Sequence, residues 1–313
     1  MCVIPDGHAG ECRIRVNLDG KLLAVTHSRP CAVHIDPVEK KPLYHFLPGT
    51  GTFSIATVGC NLHCKNCQNW QISQAEPGKT EAYLLPPENL CDLAKKESCP
   101  SISYTYTEPL VYYEYTLESC IKAREAGLKN ILVTAAYLNP EPLKELFAHV
   151  DAANIDLKSM SDDFYRDICG ATLKPVLVAI SLARSMGIMV EITNLLIPTL
   201  NDSETEIKQL TVWVKENLGA DTPLHFSRFF PHYRMQNLPA TPEQTLIKAR
   251  EIAYAAGLKH VYIGNLSTEG NNTICPKCGK RLIYRQGYRI MENNILATGR
   301  CRFCQQEIHG VWN

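Results

Sequence analysis

Cys60, Cys64 and Cys67 stand within eight residues, in Cys60-Asn61-Leu62-His63-Cys64-Lys65-Asn66-Cys67-Gln68-Asn69-Trp70. Three thiols this close leave one over if they pair as disulfides, but thiolates at short spacing suit zinc or an iron–sulfur cluster. A [4Fe–4S] cube has four irons, so three local cysteines leave one iron open for chemistry or for a small-molecule ligand. A zinc loop, or a cluster completed by a distant cysteine, is the competing reading of the same spacing. A second set, Cys275-Pro-Lys-Cys278 and Cys301-Arg-Phe-Cys304, forms two C-x2-C knuckles 22 residues apart. Paired knuckles of four thiolates predict a closed, structural zinc ribbon, with iron in the same ligand set as the alternative.

The rest of the composition agrees with metal binding in a reducing compartment. Half of the 14 cysteines fall in these two clusters, while Cys91, Cys99, Cys120 and Cys169 stand singly in helical-looking segments as buried small hydrophobes. Lys+Arg and Asp+Glu each number 32, so the surface as a whole is not polyanion-binding. No signal peptide or apolar run of spanning length is read, which makes a cytoplasmic location, with no membrane partner, the expectation.

The elements that must position these thiols alternate. Strands are expected at 52–58, 101–106, 130–134, 152–157, 188–196, 223–229 and 260–264. Helices are expected at 86–98, 109–127, 139–149, 161–168, 173–186, 203–218 and 242–256. The pattern predicts an α/β fold, a parallel sheet built from βαβ units. Residues 1–50 read as an N-terminal extension with a hairpin around Leu18-Asp19-Gly20 and a proline-punctuated segment covering the sheet edge. Residues 51–268 read as the barrel and 269–313 as the ribbon. Seven basic against two acidic residues leave the tail from Asn271 at +5, or about +3 with zinc on four thiolates. Without aromatic interleaving this argues against nucleic acid, and a docked structural lid is expected.

In such a sheet function gathers beyond the C-terminal strand ends. There the chain carries Thr107-Glu108, Asp156 and Lys158 on one strand face, Glu191 and Asn194, and His225 to Tyr233. Glu191 and Arg228 inside apolar strands are costly unless paired or liganded. A buried ion-pair network is the bland alternative, and polar groups at strand end after strand end argue against it.

With these residues the chain resembles the radical S-adenosylmethionine (SAM) enzymes. It is similar to the glycyl-radical-enzyme (pyruvate formate-lyase) activating enzymes and, more closely, to the radical SAM members of the AmmeMemoRadiSam system. The resemblance runs from about residue 2 to 266. It rests on DPVEKKPLYHFLPG at 36–49, Cys60–Trp70, SYTYTEP at 103–109, NIDLK at 154–158 and HFSRFFPHY at 225–233. It implies a partial (β/α)6 TIM-like barrel in which Cys60, Cys64 and Cys67 ligate a [4Fe–4S] cluster whose fourth iron binds SAM. It further implies Asn69 near the adenine and Thr107-Glu108 near the SAM amino group. Asp156 and Lys158 would face the carboxylate and ribose, Glu191 and Asn194 the ribose hydroxyls, and Tyr233 the methionine moiety. The chain departs from the family at Asn66, where an aromatic residue is usual, and at Ala135-Ala136 in place of Asn-Gly. Cys2 and Cys12 are half a metal site. A truncated start, completion by Cys31 and loss of the site are all open.

The expected activity is reductive cleavage of SAM to a 5′-deoxyadenosyl radical that abstracts hydrogen from a substrate, a protein side chain or backbone among the candidates. Reduced flavodoxin or ferredoxin would supply the electron. The alternatives are an activase that installs a glycyl radical on a partner enzyme and a non-catalytic iron–sulfur carrier or zinc-ribbon adaptor. DPVEKKPLYHFLPG, His225 and Arg228 are the candidate substrate contacts.

Overall fold

The computed structural model describes residues 2–266 and 268–313. The chain opens with a hairpin, β1 (Arg15–Leu18) and β2 (Lys21–Ala24), closed by Asp19-Gly20 with both φ positive, the twist a two-residue turn needs. β3 (Ala32–Pro37) then pairs antiparallel with β4 (Gly51–Ala56) and forms one edge of the main sheet. Residues 32–37 of the N-terminal extension thus form an edge strand of the main sheet.

From β4 the chain alternates. A short α1 (Trp70–Ser73) and α2 (Pro87–Lys96) lead to β5 (Ser101–Tyr104), and α3 (Tyr113–Glu125) leads to β6 (Lys129–Thr134). After α4 (Pro140–Phe147) comes β7 (Ala152–Asp156). Then α5 (Asp162–Phe164) runs into a π-helical turn, Tyr165–Cys169, and α6 (Leu173–Ser185) leads to β8 (Met189–Leu196). Finally α7 (Glu204–Leu218) precedes β9 (Leu224–Arg228), and α8 (Glu243–Ala255) precedes β10 (Val261–Gly264). The strand order is β10-β9-β8-β7-β6-β5-β4-β3, with all pairs parallel except β3–β4. Six strand–helix units followed by a seventh parallel strand make an open, partial barrel.

Local chemistry explains the elements. Pro87 and Pro140 start α2 and α4, where a missing N–H costs nothing. Ser203 caps α7 by accepting from Glu206 N at 3.2 Å. Leu90, Cys91 and Ala94 form the buried face of α2. The strands are buried on both faces, as parallel strands between helices must be.

The strap 38–50 crosses the N-terminal ends of the strands. Its Val38, Leu43, Phe46 and Leu47 pack on Ile131, Ala152 and Met189. The ribbon, β11 (Thr273–Ile274), β12 (Arg281–Gln286) and β13 (Arg289–Asn293), docks against the strap. Residues 307–312 make single bridges rather than a strand: Val311 exchanges backbone hydrogen bonds with the strap (Leu47 N to Val311 O and Val311 N to His45 O, each 2.7 Å).

Candidate active site

The first thiol is delivered by a left-handed turn. Gly59 has φ +100°, and a Cβ there would meet Cys12 O at 2.7 Å and Ile14 Cγ2 at 2.8 Å, so only glycine fits. The following loop is pinned by the π turn, whose carbonyls accept from it: His63 N to Cys169 O at 2.8 Å and Lys65 N to Ile168 O at 2.9 Å. π turns are rare and gather at functional sites. Gln74 Nε2 donates to Leu62 O at 3.1 Å. Donors also face the sulfurs: Leu62 N lies 3.4 Å from Cys60 Sγ, and Ser73 Oγ lies 3.3 Å from Cys67 Sγ. Burial pushes the Cys60 and Cys67 thiols up, whereas a hydrogen bond from Cys169 brings Cys64 down to about 7. Cys169, read as a plain buried thiol, is buried but sits against Cys64.

The three thiols line one cavity of about 540 Å³, together with Asn69, Thr107, Glu108, Asp156 and Lys158. That volume suits a nucleoside-sized ligand. Asn69 Nδ2 donates to Tyr106 O at 2.7 Å, and Thr107 Oγ1 to Thr57 O at 2.8 Å. Glu108 accepts from Thr134 Oγ1 at 2.6 Å and from Ala135 N at 2.8 Å. Burial nonetheless raises Glu108 to about 7. Lys158 Nζ donates to Asp156 Oδ2 at 2.8 Å. Burial works against the ammonium, but the charges of Asp156 and Cys64 outweigh it and hold Lys158 protonated. An acid, a cation and three thiols around one cavity fit a zwitterionic nucleoside beside an iron–sulfur cluster.

Three expected contacts stand elsewhere. Glu191 is fully buried, with Oε1 accepting from Tyr44 N at 2.9 Å and His45 N at 2.7 Å and Oε2 facing His225 Nε2 at 2.6 Å. Asn194 Nδ2 bonds Leu157 O and Lys158 O at 2.8 and 3.1 Å, bracing the strand end from behind. Tyr233 stacks on Trp70 at 5.0 Å, outside the cavity lining. Period-two reasoning places such residues on a strand face but not within or behind the barrel wall. Of the candidate substrate contacts on β9, His225 lines the cavity, while Arg228 is turned to Thr241 O at 2.7 Å.

The stretch 36–49, expected to contact substrate, and SYTYTEP at 103–109 supply a further wall of the cavity. Lys40, Lys41, Tyr44 and Tyr106 line the cavity, and Tyr288 reaches it from the ribbon hairpin. Asp36 accepts from Lys40 at 2.8 Å, from Lys41 at 2.5 Å and from Tyr106. These donors hold Asp36 low despite its burial. Burial brings Lys41 down to about 8 against the pull of Asp36.

In the ribbon, Cys275, Cys278, Cys301 and Cys304 have sulfurs within 4.8 Å of one another. Cys275–Cys304 is 3.6 Å and Cys278–Cys301 3.8 Å. Those are the edges of a tetrahedron with bonds of about 2.3 Å, the zinc–thiolate length, so the donor set fits a single ion. Among the described residues this is the only group of three or more such ligands that lie so close together; Cys12 lies in the core.

An open parallel barrel with a three-cysteine loop beyond its first parallel strand defines a class, and residues 54–210 match the radical SAM superfamily. The chain belongs to that superfamily and is a radical SAM enzyme, which implies a [4Fe–4S] cluster and SAM. It is 46% identical over 309 residues to an uncharacterized protein of Methanocaldococcus jannaschii, covering 98% of this chain and 92% of that one. It is 26% identical over 162 residues to the pyruvate formate-lyase-activating enzyme of Clostridium pasteurianum, covering 50% of this chain and 66% of that one. Among solved structures, Streptococcus suis SuiB bound to S-adenosylmethionine superposes with a TM-score of 0.53 at 15% identity, covering 73% of this chain and 53% of that one. At that identity the likeness is one of fold. No single helix among the described residues is long and apolar enough to cross a membrane.

Proposed function

We propose that Cys60, Cys64 and Cys67 hold a [4Fe–4S] cluster with one iron left for SAM, and that the enzyme abstracts hydrogen from a substrate seated against the strap wall. A reduced cluster held there would supply the electron that splits SAM into methionine and a 5′-deoxyadenosyl radical. The chain's own residues orient and exclude. Glu108 receives the amino group, Lys158 (held by Asp156) faces the carboxylate, and Asn69 and Thr107 border the adenosine. Lys40, Lys41, Tyr106 and Tyr288 close the opposite wall against water. Reduced flavodoxin or ferredoxin is the proposed electron donor, a protein side chain or backbone the proposed substrate, zinc the ribbon metal, and the cytoplasm the location. Within the superfamily we assign the chain to the radical SAM members of the AmmeMemoRadiSam system.

The observation that carries this reading is the convergence of the three thiols, Glu108 and the Asp156–Lys158 pair on one cavity. Anaerobic reconstitution with iron, sulfide, dithionite and SAM is expected to yield 5′-deoxyadenosine with the native chain and none with C60A. Equal yields from the two would end the proposal.

A further inference from the structure

β3 ends the main sheet, and among the described residues no strand pairs with its outer side. The phase of the β3–β4 ladder fixes which backbone groups face that side. Val38 N donates to Thr50 O at 3.0 Å. The register continues from there with Asp36 opposite Thr52, His34 opposite Ser54 and Ala32 opposite Ala56. Opposed residues in an antiparallel pair alternate between bonded and non-bonded. Ala32, His34 and Asp36 therefore turn their N–H and C=O to β4, and Val33 and Ile35 turn theirs outward. Ile55, opposite Val33, agrees, since its carbonyl is taken by Thr105 N at 3.0 Å on the β5 side. Among the described residues no backbone group bonds the outward groups of Val33 and Ile35.

A groove of about 660 Å³ borders this edge. It is lined by Ile35, Asp36 and Pro37 of β3 and by Tyr288, Arg289 and Ile290 of the ribbon hairpin. Ile35 is 49% exposed and Tyr288 44%, so apolar side chains as well as backbone face solvent here. β13 is itself the outer strand of its sheet. The groove adjoins the active cavity, because Glu39 and Tyr288 line both. Asp36 joins them too: it lines the groove, and its carboxylate accepts from Lys41 and Tyr106 in the cavity wall.

We propose that this edge is where the enzyme docks its substrate, an extended polypeptide segment that adds a strand to β3 between barrel and ribbon and leads its reacting residue past Tyr288 into the cavity. The inference rests on the polypeptide-substrate reading of the proposed function and deepens it. Outward N–H and C=O groups on alternate residues, about 7 Å apart along the strand, complement another extended backbone. Such pairing reads backbone and not sequence, while alternate side chains of the segment meet Ile35 and Ile290.

The test is residue-resolved amide exchange on the full-length chain. Without ligand, Val33 and Ile35 are expected to exchange about tenfold or more faster than His34 and Asp36. The probe is a capped heptapeptide of alternating threonine and valine at millimolar concentration. It should slow Val33 and Ile35 about threefold or more, and its fully N-methylated counterpart, with no N–H to donate, should slow neither. I35P removes one outward N–H and no ladder bond, a change edge strands tolerate. It is expected to weaken the peptide about fivefold, with His34 and Asp36 still slow. Val33 and Ile35 as slow as the ladder amides in the monomer, no response to the peptide, or an equal response to the N-methylated form would each overturn the proposal. So would protection that appears on concentrating the chain alone, with a dimer in sedimentation, since a second copy would then hold the edge. The 5′-deoxyadenosine assay keeps the two readings apart. A chain that forms none, yet shows peptide-dependent protection of Val33 and Ile35, loses the proposed function and keeps the docking edge. The reverse pattern loses the edge alone.

Discussion

Glu108 is a carboxyl asked to do two opposed things. Burial raises it to about 7, yet an ammonium ligand needs it ionised. Ligand binding should therefore expel its proton, so SAM affinity is expected to rise between about pH 6 and 8, with proton release seen by calorimetry in buffers of different ionisation enthalpy. E108Q should flatten that dependence. The same shift acts on folding: Glu108 adds stability below its ordinary range, and this is lost as pH rises through about 7. Cys169 is the residue that tests the open iron. If it only hydrogen-bonds Cys64, C169S will keep its iron content and its SAM-dependent spectral change. Loss of a quarter or more of the iron, with no spectral response, would make Cys169 a fourth ligand and return the chain to the electron-carrier reading.

Among elements, the turn after β4 and the π turn after α5 matter most. G59A should distort the loop, since its Cβ has no room beside Cys12 O and Ile14. A loss of about 1–3 kcal/mol in stability is expected, as for strained backbone elsewhere, together with poor iron retention. Chemical denaturation and iron assay read both. By contrast S203A, which removes the cap of α7 outside the cavity lining, should cost about 1 kcal/mol and leave iron content unchanged. The contrast separates loop geometry from general stability.

At the scale of the whole molecule, the ribbon is a floor of the barrel. Arg285 reaches from β12 to Tyr44 O at 2.8 Å, Thr273 Oγ1 at 2.8 Å and Asn271 O at 3.1 Å. R285A is expected to cost about 3 kcal/mol or more, since the carbonyls it serves stay buried. Chelating the ribbon metal should lower the melting temperature of the whole chain in one transition. The junction is also acid-sensitive. Burial holds His45, His260 and His309 neutral, with His260 down to about 4. The unfolded chain takes up protons first, so their contribution is present above about 6.5 and lost as pH falls toward about 4. Glu39, raised by burial at the same junction, pulls the other way. With three histidines against one glutamate, amide exchange should show the ribbon junction opening before the strands as pH drops through that window.

What the linear order of residues settled is whatever short-range spacing controls. C-x3-C-x2-C, the paired knuckles, Pro87 and Pro140 at helix starts and Asp19-Gly20 in the hairpin each act within a few residues of chain. The alternation of strand and helix added the parallel sheet, because βαβ units permit little else. Tertiary packing decided what depends on contacts between different elements. Glu191 found His225 and the strap amides instead of a ligand, Val311 left the ribbon to pair with Phe46, and Lys41 and Tyr106 met over Asp36. Apart from Lys41 and Asp36, five residues apart, these partners are at least 34 residues apart, and period-two patterning names a side chain's face without naming what waits there.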